Sequence, residues 1–333
     1  VTSKLTLGVA GRFEDYAGFG STTLGKIQAR LKVTDAVALR ATASTGFHAP
    51  SPGQSNVETL TTNFVNGINV QQGTYRVTSP AARFYGSTTL GPEKSTNLSA
   101  GIVLTPAAGL LVTLDAYSIE VKDRISISPP FDVTQPDIDQ LIDLQYVGVG
   151  GVVQFFANGF DTKTRGVDLV GSYLFHVGAG RLNSTLAFNY NKSEVTFIKS
   201  IATPTLADPN KVTPLISATR QKDIEHFAPN QRVNLSLDYS IGQIRASLHE
   251  NYYGTWIDQA DYPNQVFPAK TTTDLEFSYL FAHQVTGSIG GRNVFNARPD
   301  VVNDTNPLTG GQGDGTRYPR SGGPFGFNGA FFY

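Results

Sequence analysis

The residues of this chain best suited to catalysis are its histidines, and their neighbours complete no catalytic motif. The string His249-Glu250-Asn251-Tyr252-Tyr253 begins like the His-Glu-x-x-His motif of zinc proteases, but Tyr253 stands where the second metal-binding histidine belongs. A serine two positions after a histidine would share its strand face, and none of the five histidines has one. Cysteine is absent, as are a Gly-x-Ser-x-Gly elbow and a phosphate-binding glycine loop. We therefore predict no enzyme, no cofactor and no catalytic metal site.

Acidic residues near the end of the chain offer one candidate cation site. Asp300, Asp304 and Asp314 lie around the glycine-rich run at 310–315. Carboxylate oxygens are the ligands that hard cations prefer. A glycine run by itself predicts a flexible loop tip, so both interpretations stay open at this point.

The elements that must position these residues are extended segments of alternating polarity. Val233, Leu235 and Leu237 alternate with Asn234, Ser236 and Asp238. Successive side chains of a strand point to opposite faces, so such a segment has one apolar and one polar face. The pattern predicts an all-β fold of about twelve strands. They are expected near 3–13, 22–33, 37–47, 93–104, 110–124, 161–175, 181–194, 228–241, 243–257, 270–281, 284–295 and 323–333.

The connections between these strands alternate in length. Short turns are expected near 34–36, 106–109, 176–180, 242 and 282–283, and the other connections are long, for example 48–92 and 125–160. Short turns at one end and long loops at the other are typical of a transmembrane, antiparallel, up-and-down β-barrel. A soluble sandwich or β-helix, the alternative, predicts loops of similar length at both ends. The net charge of −1 indicates no nucleic-acid partner.

Basic residues recur on the polar faces of the predicted strands. They are Arg12, Arg30, Arg40, Arg245, His249 and Arg292. An arginine facing lipid near the membrane midplane costs roughly 2–4 kcal/mol, so these side chains are expected to face the barrel lumen. There they either hydrogen-bond to water and protein or form a cationic lining for an anionic ligand such as a ferric chelate.

Aromatic residues near the long loops form a second group of candidates. Trp256, Tyr252 and Tyr253 lie at the predicted end of one strand. Such rings either form a girdle at headgroup depth, pack within loops, or stack on a sugar or siderophore.

Several local strings resemble the C-terminal half of TonB-dependent outer-membrane receptors. Thr45-Gly46-Phe47-His48-Ala49-Pro50-Ser51 resembles the family's strand-to-loop string, with His48 where arginine is usual. Leu90-Gly91-Pro92-Glu93-Lys94 resembles the segment that re-enters the barrel, and Thr164-Arg165-Gly166-Val167-Asp168-Leu169 a later strand. Asn293-Val294-Phe295-Asn296 and Gly326-Phe327-Asn328-Gly329 resemble the family's last two strings. Together they follow the family's order along the chain.

This resemblance implies a 22-stranded barrel of which residues 1–333 are the C-terminal part. It implies a plug domain and about ten strands before Val1, and the absence of methionine agrees with a piece of a longer product. The whole protein would lie in the outer membrane of a Gram-negative bacterium, surrounded by lipid and coupled to TonB. It would take up a siderophore, cobalamin or saccharide. Ligand-binding candidates are Arg40, His48, Arg245, His249, Trp256 and Arg292.

Two other functions fit the same pattern. A self-contained twelve-stranded barrel, such as a porin or an autotransporter translocator, would need no plug. A receptor-derived scaffold in a surface assembly would keep the barrel and lose transport.

Overall fold

The dominant feature of the computed structural model is one antiparallel sheet of twelve strands. The structure describes residues 4–16, 20–65, 68–203, 210–282, 285–303, 317–319 and 323–333. The strands are β1 (Leu5–Tyr16), β2 (Gly20–Lys32), β3 (Val37–His48), β4 (Glu93–Ala107), β5 (Leu110–Ile127), β6 (Phe156–Val177), β7 (Gly180–Ile198), β8 (Gln231–Ile241), β9 (Ile244–Tyr253), β10 (Lys270–Ala282), β11 (Val285–Arg292) and β12 (Phe331–Phe332). Each pairs with the next in chain order, as in an up-and-down barrel. The predicted fold class is confirmed.

The turns at one end of the sheet are tight. Val177 pairs with Gly180, and Ile241 pairs with Ile244, so each of these hairpins has a two-residue turn. Gly178 and Gly242 begin these turns at φ of 60° and 55°, a conformation that costs glycine little. The predicted one-residue turn at Gly242 is therefore wrong by one residue. The predicted turn residue His283 lies outside the described residues.

The last predicted strand, 323–333, is mostly not a strand. Phe331 and Phe332 form a ladder with Arg292 and Gly291, and Tyr333 exchanges backbone hydrogen bonds with Gly290, so the paired part is confined to the last three residues. Gly323, Gly326 and Gly329 have φ of 62°, 77° and 76°, which breaks the extended conformation that a ladder needs. The alternating aromatic residues predicted a strand because glycine's conformation cannot be read from the side-chain pattern.

Two further strand predictions change in detail. β9 ends at Tyr253, four residues before the predicted end, and Trp256 belongs to a separate two-residue strand. β5 ends at Ile127, three residues after its predicted end, and its pairing with β4 and β6 continues without a shift from Tyr117 to Val121. Ile119 and Val121 therefore lie on the same face as Asp115.

The long loops fold into packed structure at the other end of the sheet. Their helices are α1 (Pro52–Asn56), α2 (Pro80–Phe84), α3 (Gln135–Gln140) and α4 (Ala218–His226), with a 3₁₀ turn at Ile142–Tyr146. Ser51, Ser79 and Ser217 cap α1, α2 and α4 with their hydroxyls, which explains where these helices begin.

Short strands complete these loops. Four of them form a small sheet in the order Thr59–Val65, Ile68–Thr74, Val152–Gln154 and Phe131–Asp132. Two pairs, Ser200–Ala202 with Val212–Pro214 and Trp256–Ile257 with Val266–Phe267, form separate hairpins.

Apolar burial is concentrated in these loops and not in the large sheet. Phe131 stacks on Phe155 with ring centroids 5.5 Å apart, and Val133, Leu144 and Val153 complete a buried cluster around them. By contrast, apolar side chains of the sheet such as Val9 and Ile289 are 81% and 68% exposed. Exposed apolar side chains recur on this face of the sheet from strand to strand. Such a face needs an apolar environment, which lipid supplies. In the described residues, no helix is long and apolar enough to cross a membrane.

Within the part of the chain that the structure describes, the two edge strands of the large sheet do not pair with each other. Among the described residues, β1 pairs with β2 only and β12 with β11 only. An unpaired edge within hydrocarbon leaves backbone N–H and C=O groups without partners, at several kcal/mol for each group.

Candidate functional site

The polar face of the sheet carries a row of residues that lie directly opposite one another on seven consecutive strands. This charged row consists of Arg30, Arg40, Gly101, Asp115, Asp168, Asn189 and Arg232, from β2 to β8. Each member shares its face with the small polar residues of its strand, so the row faces the barrel lumen. The sequence predicted this orientation for Arg30 and Arg40 only.

Arg40 is bound to Asp115 across an intervening strand. Its Nε donates to Asp115 Oδ1 at 2.7 Å, and its Nη2 donates to Oδ2, so the pair is bidentate. Gly101 lies between them, and a Cβ there would overlap the Asp115 carboxylate and lie 2.8 Å from the carbonyl oxygen of Leu114. The missing side chain at Gly101 is therefore what lets the two charges meet.

Asp168 lies next to Asp115 in the charged row and has a different partner. The amide Nδ2 of Asn189 donates to Asp168 Oδ1 at 2.5 Å. The same amide lies 3.4 Å from the hydroxyl of Tyr117, whose ring covers Gly166. Two carboxylates on opposed positions would repel each other. Here one is neutralised by Arg40 and the other is stabilised by an amide.

His249 lies in a separate polar cluster on β8, β9 and β10. The hydroxyl of Ser236 and the Nδ1 of His249 are 3.0 Å apart, and the Nε2 of His249 is 4.0 Å from Asp238 Oδ1. Asp274 lies opposite His249 on β10 and accepts a hydrogen bond from the backbone N–H of Asn293. Ser236, His249 and Asp238 follow one another as the nucleophile, base and orienting acid of a catalytic triad would. The 4.0 Å between His249 and Asp238 is too long for a hydrogen bond, so the base lacks its orienting acid. The contact with Ser236 fixes the imidazole against the wall.

Arg245 lines a trough on the same wall, nearer the short turns. The trough has a volume of about 690 Å³, and its charged lining consists of Arg181, Arg245, Asp238 and Glu276. Two cations and two carboxylates therefore line the trough, which suits a polar protein segment or a zwitterionic group. Of the six predicted ligand-binding residues, Arg245 alone lines it.

The remaining strand candidates lie apart from the trough. His48 stands at the loop end of β3, where its Nδ1 is 3.8 Å from Glu93 Oε2. Arg292 ends β11 opposite Phe331 of β12. The structure therefore distributes Arg40, His48, Arg245, His249 and Arg292 over the wall and does not gather them in one pocket.

Trp256 is buried and does not line the lumen. Only 2% of its surface is exposed, its ring stacks on Phe267 with centroids 4.0 Å apart, and Tyr262 closes the cluster. Of the uses expected for loop aromatics, packing within a loop is the one that this geometry supports.

The loop region contains a second, smaller cavity of about 320 Å³. Tyr75 lines it together with Glu58 and Asp143, and burial followed by these two carboxylates raises the pKa of its hydroxyl. Nearby, burial and the carboxylate of Asp137 raise the pKa of Tyr85. Both phenols are held neutral and can serve as hydrogen-bond donors.

No metal site emerges from the described part of the chain. There, no group of three or more His, Asp or Glu side chains converges closely enough to hold an ion. Asp300, one of the three candidates for a cation site, accepts a hydrogen bond from Lys270 Nζ at 2.6 Å. Asp304 and Asp314 lie outside the described residues.

Sequence patterns missed the partners Gly101, Asp115, Asp168 and Ser236 because they come from other strands. The sequence could have revealed one of these partners, Ser236. A two-residue turn at Gly242-Gln243 pairs Ile241 with Ile244, and counting back along both strands from this pair places Ser236 opposite His249. The partners of Arg40 follow a long loop, so no turn geometry could have revealed them.

One family model matches this chain. It is described as TonB dependent receptor-like, beta-barrel, and it matches residues 1–296. No curated protein sequence matches.

Solved structures that align with this chain include proteins described as siderophore, ferric enterobactin and ferripyoverdine receptors. The siderophore receptor PirA from Acinetobacter baumannii aligns with a TM-score of 0.63 and 16% identity over 100% of this chain and 43% of its own length. A mutant ferric enterobactin receptor from Pseudomonas aeruginosa aligns at 0.60 and 15%, over 90% and 38%. The ferripyoverdine receptor of the same organism aligns at 0.55 and 13%, over 90% and 33%. The chain thus spans between one third and about two fifths of the length of these proteins.

Proposed function

Because the chain belongs to the TonB-dependent receptor-like β-barrel family, we propose that it is the C-terminal half of a receptor for energy-coupled uptake of a scarce nutrient. The barrel lies in the outer membrane of a Gram-negative bacterium. A plug domain and the preceding strands would close the barrel, and TonB would supply energy from the inner membrane. The protein would act as a transporter and not as an enzyme.

The observation that supports this proposal best is the division of the sheet into two faces. One face exposes apolar side chains such as Val9 and Ile289. The other carries the charged row, with Arg30 opposite Arg40 and Asp115 opposite Asp168. A closed barrel with these faces has a charged aqueous lumen inside an apolar exterior.

We propose a ferric siderophore as the ligand class. The receptors with the same fold are described as receptors of siderophores, ferric enterobactin and ferripyoverdine. Arginines on the lumen wall favour an anionic ligand such as a ferric chelate. Within the described residues, Arg245 and Arg292 have no carboxylate partner within 4.0 Å, whereas Arg40 is bound to Asp115, so the first two are the better candidates for ligand contact.

The mechanism follows from linkage. The ligand binds at the lumen wall and loops while the plug is in place, and it is released when the plug moves. A ligand with equal affinity for both states could not respond to this movement, so the wall residues must contribute more in the closed state.

The test uses the full-length receptor in a strain that lacks its own copy. We expect Arg245→Gln/Arg292→Gln to weaken binding of an anionic ferric siderophore roughly ten-fold, because each lost charge reduces attraction in the lumen. Binding is measured with radiolabelled iron at several siderophore concentrations. Lys222→Gln removes a positive charge from an exposed side chain of the loop helix α4, which is not part of the strand wall, and serves as control.

Uptake in a strain without TonB separates the remaining possibilities. Loss of uptake there supports the receptor. Uptake that continues without TonB indicates a passive pore, and a folded barrel that binds and transports none of a panel of siderophores, cobalamin and saccharides indicates a scaffold.

A further inference from the structure

A second concentration of positive charge lies on the outer face of the barrel, on the four strands β4 to β7. We name it the outer basic band, and its members are Lys94, Lys122, Lys163, Arg165 and Lys192. Each occupies the same alternate positions as the apolar residues of its own strand, for example Arg165 with Val167 and Leu169. These side chains therefore point away from the lumen.

The height of the outer basic band is nearly constant. Lys122 is twelve residues beyond Leu110, Arg165 twelve before Val177, and Lys192 twelve beyond Gly180, where these strands meet their short turns. At about 3.3 Å per residue and a tilt near 40°, twelve residues rise roughly 30 Å along the barrel axis. The apolar exterior of such barrels is about 25 Å tall. The band thus lies at headgroup level in the leaflet on the side of the long loops.

The pairing within the band is unfavourable without an anion. Lys94 lies directly opposite Lys122, and Arg165 directly opposite Lys192. Like charges on opposed positions of neighbouring strands destabilise a sheet. Two glutamates offset part of this repulsion. Lys122 Nζ is 3.6 Å from Glu120 Oε1, and Lys192 Nζ is 2.6 Å from Glu194 Oε1. Glu225 of α4 also attracts Lys192. Five cations against these three carboxylates leave a surplus of positive charge.

We propose that the outer basic band binds the phosphate groups of lipid headgroups in the surrounding outer leaflet. A ligand held here contacts the lipid side of the wall, not the nutrient pathway. Tyr190 and Val167 lie directly below the band on the same face and would contact acyl chains of the same lipid. Arginine and lysine are the residues that bind phosphate in proteins. The proposal is independent of the nutrient that the lumen accepts.

The test measures retention of a phosphorylated lipid by the full-length receptor. The protein is placed in phosphatidylcholine nanodiscs that contain either lipid A or its dephosphorylated form, and bound lipid is counted by native mass spectrometry. Lys122→Gln/Arg165→Gln is expected to bind lipid A roughly 30-fold more weakly, since each cation near a membrane surface contributes about five-fold. Lys26→Gln/Lys32→Gln, which removes two charges from the polar face of β2, should change retention less than two-fold.

A second variant keeps the proposal testable if the first does not fold. Glu120→Gln removes a carboxylate beside Lys122 and Lys163 and is expected to strengthen lipid A retention. Equal retention by wild type and Lys122→Gln/Arg165→Gln would overturn the proposal, as would equal binding of the dephosphorylated lipid. Displacement of lipid A by millimolar inorganic phosphate would identify a site for free anions instead and would also overturn it.

Discussion

At the scale of single residues, two contacts on the lumen wall depend on the absence of a side chain at a glycine. Arg40 and Asp115 are on β3 and β5, and they meet because Gly101 of β4 has no side chain between them. The ring of Tyr117 covers Gly166 in the same way. A glycine in a strand costs conformational entropy, and here it is offset by a charge pair and by an aromatic contact.

The substitution Gly101→Ala tests this role. Its Cβ would meet the Asp115 carboxylate and the Leu114 carbonyl oxygen, so either the charge pair opens or the strand shifts. We expect a loss of about 1–3 kcal/mol, typical of overpacking. It is measured as a lower temperature at which the full-length barrel loses its compact migration in detergent electrophoresis.

The matched control is Gly25→Ala. Gly25 also lies in a strand, and no atom lies within 4 Å of its would-be Cβ. A neutral or slightly stabilising effect is expected there because alanine reduces the freedom of the unfolded chain. Equal losses for both variants would contradict the role assigned to Gly101.

At the scale of elements, the loops are held together by backbone hydrogen bonds to buried acids. Asp223 of α4 accepts from the N–H of Gln259 at 2.6 Å, which joins α4 to the loop that contains Trp256. Burial raises the pKa of this carboxyl, with Asp258 adding to the effect, while the N–H of Gln259 opposes it. Two effects on the charged form of Asp223 therefore oppose each other: the hydrogen bond from Gln259 stabilises the carboxylate, and burial destabilises it.

The raised pKa of Asp223 predicts that the stability of the loop containing Trp256 depends on pH. A carboxyl whose pKa is raised in the folded state stabilises that state most below its ordinary value of 3.8, and the benefit is lost as pH rises through the raised pKa. The 256–267 segment of the wild type should therefore become more protected from hydrogen exchange as pH falls through that range. The Asp223→Asn variant keeps the acceptor oxygen and should show no such change relative to intrinsic exchange rates. An identical pH response in wild type and variant would contradict the assignment.

At the scale of the whole molecule, the sheet is incomplete as a membrane wall. Among the described residues, β1 and β12 each have one neighbour, so two edges are open. Backbone groups at such edges have no water to bind within hydrocarbon. This agrees with the receptor proposal, in which earlier strands of the protein complete the barrel, and it disfavours a self-contained twelve-stranded pore.

Expression of residues 1–333 alone tests this point. We expect aggregation or no insertion, because each unpaired backbone group in lipid costs several kcal/mol. Joined to the preceding half of the receptor, the same residues should give a compact, heat-modifiable barrel. Twelve-stranded pores with a stable single-channel conductance from residues 1–333 alone would contradict the expectation.

Sequence alone was sufficient for the number, order and direction of the strands in the large sheet. Alternation such as Val233 to Asp238 reports which face of a strand is apolar, and it does so locally. For this reason, eleven of the twelve strands lie near their predicted positions, and the lumen orientation of Arg40 and Arg245 followed from parity. The prediction of the last strand was wrong because three glycines at positive φ interrupt the segment, although its aromatic residues alternate as in a strand.

Tertiary structure alone decided which residues meet. Arg40 and Asp115 are separated by a long loop, and their contact depends on the register of three strands. Burial of Trp256 depends on Phe267 and Tyr262, which a strand pattern at 243–257 cannot place. The alternation of apolar and polar residues shows which face of the sheet each residue lies on, because this alternation is a property of a single strand. Register and loop packing are set by hydrogen bonds and contacts between distant segments, so they appear only when the chain is folded.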